Sequence, residues 1–417
     1  MKVKKLRYIN TNDLIYILLT MYFVFFYWIS GTIFPYRSIA LAFIGLSVFL
    51  IQILINRQNL QTDIISLSIL VISVLMIISS IINGDGQTLQ NIIFFFQTVF
   101  LYLGIVSFCN NYEKLYRVIK IIFVTGFIGG PVAGLIQMIT GEYIFPLPPG
   151  SPYEDNMLIK TVISSALTYN ANLVALQFVT TLFLGLYLYN KINKKLLIFV
   201  CILISAVALI LTFSRTSIIA TILAFVIYNF FRKKKTNSLK FILQYFVLAM
   251  TSIILLFFFD DILSKVLQFN DVDYVFRLKS AENVDIRYMQ WIAVVDVLFS
   301  SDIIHLLFGY GRNYINIIGS ITGYNITTHN TILEQFVKNG VLSGFLIIIS
   351  YYYSFKAFWK VNKTKEEFNS IFAGLIALFV SLQMISSFTL DSIMYLMIAS
   401  IILKNRRGDS SINAKTR

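Results

Sequence analysis

The chain has 417 residues, of which 57% are apolar and only 13% charged, against about 45–50% and about 25% in a soluble domain. So few charges cannot cover a water-soluble surface, and the mean hydropathy of +0.76 excludes a soluble enzyme, a disordered chain and a coiled coil together. The net charge of +14 does not indicate nucleic acid, because the Lys and Arg residues lie in short clusters between apolar runs.

A hydrocarbon core needs about 20 apolar residues per helix. Such runs fall at 14–30, 38–55, 64–82, 92–108, 118–139, 161–189, 196–213, 216–231, 241–259, 336–355, 368–387 and 388–403. They lack the alternation of a membrane barrel, so the expected fold is an all-α polytopic membrane protein of about 12 transmembrane helices, one integral domain over 1–417. The run 216–231 is short, and the last two runs also read as one hairpin split near Asp391. The basic start MKVKKLR precedes the first run with no small-residue cleavage site after Trp28, so a retained span is expected. Cys109 and Cys201 abut or lie within apolar runs and imply neither a disulfide framework nor a thiolate metal site.

Orientation follows from Lys and Arg. With the N-terminus in the cytoplasm, 25 of the 34 fall in cytoplasmic segments. The outer face keeps Arg37, Lys160, Arg215, Lys265, Arg277, Lys279, Arg287, Arg312 and Lys338. Both termini are therefore expected in the cytoplasm. Two long connections fall outside. One covers 140–160 and contains PLPPGSPYEDN. The other, between helices 9 and 10, covers 260–335, a length that is usually functional when found in a connection. Within it, 287–308 has helical spacing suited to the membrane surface.

The spans are almost free of charge, which weighs against a coupled transporter; chemistry is expected at the outer face. Arg215 lies in FSRTS between two runs. It reads either as a snorkelling interfacial anchor or as a guanidinium fork for phosphate, a task that suits Arg better than Lys. Arg287 in DIRYMQW reads either as a helix-flanking charge paired with Asp285 or as a second phosphate clamp. His329 lies in TTHNTILEQFVKNGVLSG, where Thr331 and Glu334 have capping-box spacing and predict a helix starting near Ile332. A histidine just before a helix N-terminus is kept neutral by the macrodipole, as a general base requires; the alternative is a polar loop histidine. The other histidine, His305, reads as structural. Gly309 and Gly311 in LFGYGRNY suggest a tight turn rather than a nucleotide site. Asp271 and Asp273 read as solvated charges, and Asp260 and Asp261 as a membrane exit. No zinc spacing and no Ser–His–Asp pattern is present, so no metal and no cofactor is expected.

FSRTS at 213–217, RYMQW at 287–291, LFGYGRNY at 307–314 and HNTILEQFVKNGVLSG at 329–344, in this order, resemble the O-antigen polymerase and O-antigen ligase superfamily of bacterial membrane proteins. The resemblance implies metal-independent glycosyl transfer at the outer face of the cytoplasmic (inner) membrane. Donor and acceptor glycans would be carried on undecaprenyl pyrophosphate, and a chain-length regulator would be a partner protein. Carried onto this chain, Arg215 and Arg287 would hold the pyrophosphate and His329 would act on the acceptor hydroxyl. The short, aromatic-rich chain without an extra soluble domain favours a polymerase, building O-antigen or capsule, over a ligase transferring polymer to lipid A–core. A lipid-linked oligosaccharide flippase is the alternative from another class, and would be expected to show a polar central groove.

Overall fold

The computed structural model describes residues 10–29, 34, 36–55, 63–140, 142, 144, 171–212, 214–232, 281–362, 364–383 and 390–415. All regular structure among them is helical. Helix α1 spans Thr11–Trp28, and α2 spans Arg37–Leu50 and continues through one wide turn to Ile55. Helix α3 spans Ile64–Asn83. Helices α4 (Thr88–Phe94) and α5 (Leu101–Phe108) form one rod through a wide turn, as do α6 (Tyr112–Phe127) and α7 (Ala133–Thr140). The second of these turns contains Pro131, whose missing N–H accounts for the irregularity there. Then follow α8 (Ala171–Tyr189), α9 (Lys195–Leu211), α10 (Arg215–Arg232), α11 (Ala281–Ser300), α12 (Ile303–Phe308), α13 (Tyr314–Thr322), α14 (Thr331–Asn339), α15 (Val341–Asn362), α16 (Asn369–Leu382) and α17 (Leu390–Lys415).

Seven helical stretches among the described residues are long and apolar enough to cross a membrane: Thr11–Trp28, Arg37–Ile55, Ile64–Asn83, Thr88–Phe108, Tyr112–Thr140, Asn172–Tyr189 and Val341–Asn362. Lys195–Leu211, Thr216–Asn229 and Ser392–Asn405 are shorter apolar helices. The expected run 241–259 and the connection 140–160, apart from Thr140, Glu142 and Ile144, lie outside the described residues.

Two boundaries differ from the sequence expectation. The run 336–355 is not one helix: α14 ends at Asn339, Gly340 turns at φ +88°, and α15 begins at Val341. A side chain at Gly340 would strike the Leu307 carbonyl, so the turn requires glycine. The stretch 287–308 is likewise two helices. Asp302 starts α12 by accepting N–H bonds from Ile304 (2.9 Å) and His305 (3.0 Å), and α11 has already ended at Ser300.

The polar contacts at helix ends fall into two groups. Asp63 accepts from Ile65 N (2.8 Å), Ser66 Oγ (2.8 Å) and Ser400 Oγ (3.0 Å), Lys404 donates to Val106 O (3.0 Å), and Lys191 pairs with Glu367 (2.8 Å). All these residues lie at ends that the charge count puts in the cytoplasm. At the opposite ends, Asn83 Nδ2 donates to Gly309 O (3.0 Å) and Ser79 Oγ to Lys338 O (2.7 Å). The end of α3 and the 281–340 segment, both expected outside, are thus on one side of the bundle.

Candidate active site

Helices α11, α13 and α14 share a small core of Ala293, Val294, Val297, Tyr314, Ile318 and Val337, separate from the large cluster of the spanning helices. The loop between α13 and α14 lies against this unit. Gln290 Nε2 donates to Ile326 O (3.3 Å) and Trp291 Nε1 to Thr328 O (2.9 Å), so two consecutive residues of α11 hold the loop that ends in His329.

His329 has φ +50°, and among the described residues it is the one non-glycine with positive φ. For an L-residue this region costs about 1–2 kcal/mol, and it persists where surrounding bonds over-determine it. Those bonds are present. Besides Trp291, Thr328 Oγ donates to Asn330 O (3.2 Å), and the Asn330 side chain accepts from Ile332 N and Leu333 N (both 3.0 Å).

The cap of α14 is therefore Asn330, not the Thr331–Glu334 box that the spacing suggested. Asn330 already satisfies the first free N–H groups, so Glu334 is released from capping and turns inward. It is 7% exposed, lies 3.7 Å from Lys338 Nζ, and stands beside the buried Tyr314 phenol. Burial, then the Glu334 charge, push that phenol up.

Arg287 lies inside α11, in its second turn, rather than ahead of a helix. It is half-buried, and burial lowers its pKa from the usual guanidinium value. His329 lies below the usual histidine range, first because it is partly buried and second because of the positive charge of Arg287. The bonds from Gln290 and Trp291 bring the helix of Arg287 and the loop of His329 together, although the two residues are 42 positions apart in the chain. A lowered pKa keeps the imidazole neutral at neutral pH, able to accept a proton.

Arg215 is the first residue of α10, and its side chain lies outside the described residues, as does that of Asp285. The start of α10 is fixed: Ser214 Oγ hydrogen-bonds Asn172 Oδ1 at 2.7 Å, and α10 packs along α16 and α8. His305 is tied into α12, with Nδ1 2.5 Å from Asp302 Oδ2 and its ring stacked 4.3 Å from Tyr310. Asp260, Asp261, Asp271 and Asp273 lie outside the described residues. Among the described residues, no three His, Cys, Asp or Glu side chains gather as a metal-ligand set.

Gly309–Gly311 is a turn, docked on the end of α3. Tyr310 N donates to Val337 O (2.9 Å), Gly311 N to Ser79 Oγ (3.1 Å) and Arg312 N to Asp85 Oδ2 (2.7 Å). Gly309 has φ +73°, and a side chain there would meet the Lys338 backbone. Sequence reasoning did not single out Ser79, Asn83 or Asp85, and it gave Gln290 and Trp291 no role beyond their place in RYMQW. The one available signal was the i, i+4 spacing of Arg287 and Trp291, which puts them on one helix face.

Residues 199–349 match the O-antigen ligase family. The matched segment runs from α9 into α15 and contains Arg215, Arg287 and His329. The match supports the O-antigen ligase and polymerase superfamily and a function of that type in surface polysaccharide biosynthesis. Family members are glycosyltransferase-like enzymes that act on lipid-linked glycans, and the apolar helices agree with a multi-pass membrane protein. No curated protein matches the chain.

Proposed function

We propose that the protein polymerises undecaprenyl-pyrophosphate-linked oligosaccharide repeat units into a surface polysaccharide at the outer face of the cytoplasmic membrane. The single observation that carries the reading is that the helix of Arg287 holds the loop of His329, through Trp291 Nε1 to Thr328 O (2.9 Å), inside the segment that matches the family. In this reading Arg215 and Arg287 hold the donor pyrophosphate. Arg215 opens α10, where the positive end of the helix dipole adds to its charge, a combination suited to an anion. The acceptor hydroxyl loses its proton to His329 as its oxygen attacks the donor's anomeric carbon. The bond from that carbon to the pyrophosphate oxygen breaks. The growing negative charge on the leaving group is met by the guanidinium groups, the kind of fixed electrostatic stabilisation that contributes most to such a step.

The preference for polymerisation rests on the aromatic-rich sequence, 16% Phe, Trp and Tyr. The ligase reading, transfer of finished polymer to lipid A–core, is favoured by the description of the matched family. Deletion followed by a gel of surface polysaccharide separates the readings. Loss of a polymerase leaves core bearing one repeat unit. Loss of a ligase leaves bare core with polymer on the lipid carrier, and loss of a flippase keeps the unit inside.

A further inference from the structure

We infer that Trp291 is a positioning residue, whose indole N–H fixes the Thr328–His329 backbone and so sets the imidazole relative to the helix that carries Arg287. The inference deepens the proposed function and rests on His329 as its base. Three observations carry it. The Trp291 Nε1 to Thr328 O bond (2.9 Å) ends on the residue immediately before the left-handed His329. The preceding helix residue, Gln290, is fully buried and holds Ile326 of the same loop, so the loop is tied to α11 at two points. Trp291 lies one turn after Arg287 on α11. One rigid helix therefore sets both the guanidinium and the loop bearing the base, and their separation does not depend on the longer path through α12 and α13.

A loop residue held in a left-handed conformation has an easier extended alternative, and leaving it would swing the side chain away from α11. Trp291 donates the bond that opposes this. The charge that acts on the His329 ring is that of Arg287 on α11, while Tyr314 on α13 lies beside Thr328 and Glu334.

Trp291→Phe keeps an aromatic ring and removes the N–H. The chain has only two histidines, so ¹³C-histidine NMR of the full-length protein in nanodiscs gives two resonances, assigned with His305→Ala. In Trp291→Phe the His329 resonance is expected to titrate nearer the ordinary histidine range, because the ring leaves Arg287, while His305 is unchanged. The turnover number on a lipid-linked repeat unit is expected to fall about 10- to 100-fold, the usual effect of a small misplacement of a reacting group, with KM for the donor unchanged. In a His329→Ala background the same substitution is expected to have no further effect. An unmoved His329 titration, or an additive loss in the double variant, overturns the inference. If His329→Ala is fully active, the base assignment falls, and the NMR titration still decides whether Trp291 holds the loop. If Trp291→Phe does not fold, Trp291→Met, which also removes the N–H, is read the same way, with an unmoved titration overturning the inference.

Discussion

The backbone N–H of Arg312 meets the carboxylate of Asp85 at 2.7 Å across 227 positions of the chain. This bond, with Asn83 Nδ2 to Gly309 O (3.0 Å), fastens the end of α3 to the unit that carries Arg287 and His329. The geometry of the candidate site is thereby referred to a spanning helix rather than to a free loop.

Asp85 also accepts from Ser80 Oγ and from Gln87 N (2.9 Å). Burial by itself would raise this carboxyl, but the hydrogen bonds from Ser80, Arg312 N and Gln87 N outweigh it and hold it below the usual carboxylate range. A depressed pKa contributes stability that is present above the unfolded value and lost as pH falls through the folded value. Asp85→Asn is therefore expected to lower the melting temperature at neutral pH, with a cost of about 1 kcal/mol for a largely solvated group. The difference from wild type should shrink as the pH falls into the range where Asp85 protonates. A constant difference across pH, measured by thermal unfolding in detergent, would assign the loss to packing instead.

Arg287→Lys and Arg215→Lys are each expected to lose most polymer synthesis while inserting in normal amounts. An ammonium keeps the charge but not the planar fork that meets two phosphate oxygens. Wild-type polymer from the Lys variants would leave both arginines as interfacial anchors.

His329→Ala is expected to reduce the rate about 10²–10⁴-fold, the usual worth of a general base. His305→Ala should stay close to wild type, because that ring is engaged with Asp302 and Tyr310. The neutral imidazole is the active form and its pKa is lowered, so activity should persist below the ordinary histidine range before falling with pH. Arg287→Gln removes the second cause of that lowering and should move the acid limb upward. Chelators are expected to leave the rate unchanged; abolition by a chelator would sink the proposed mechanism.

Sidedness is tested by single cysteines in a background lacking Cys109 and Cys201. Residue 320 is exposed in α13, and Ser320→Cys and Ser151→Cys are expected to react with an impermeant thiol reagent from outside intact cells. Asn237→Cys is expected to stay unlabelled. The reverse pattern would put the candidate site in the cytoplasm.

The sequence by itself determined that the described residues are helical and that several of the helices are long and apolar. Runs such as 64–82 are apolar throughout, and a chain in lipid must satisfy its backbone within each segment, so composition and length alone dictate helices. The start of α14 was readable to within a residue because capping is local chemistry, although Thr331–Glu334 spacing pointed to the wrong cap. Spacing records which side chains could reach an N–H, and not that Asn330 reaches two first. Only the tertiary structure decided how the candidate residues are arranged. The link between the helix of Arg287 and the loop of His329 depends on the Gln290 bond to Ile326 and the Trp291 bond to Thr328. Each is a contact between segments whose separation in sequence carries no periodicity. The left-handed backbone of His329 is illegible for the same reason: an isolated histidine prefers another conformation, and one of the bonds that override the preference comes from a helix residue 38 positions earlier in the chain.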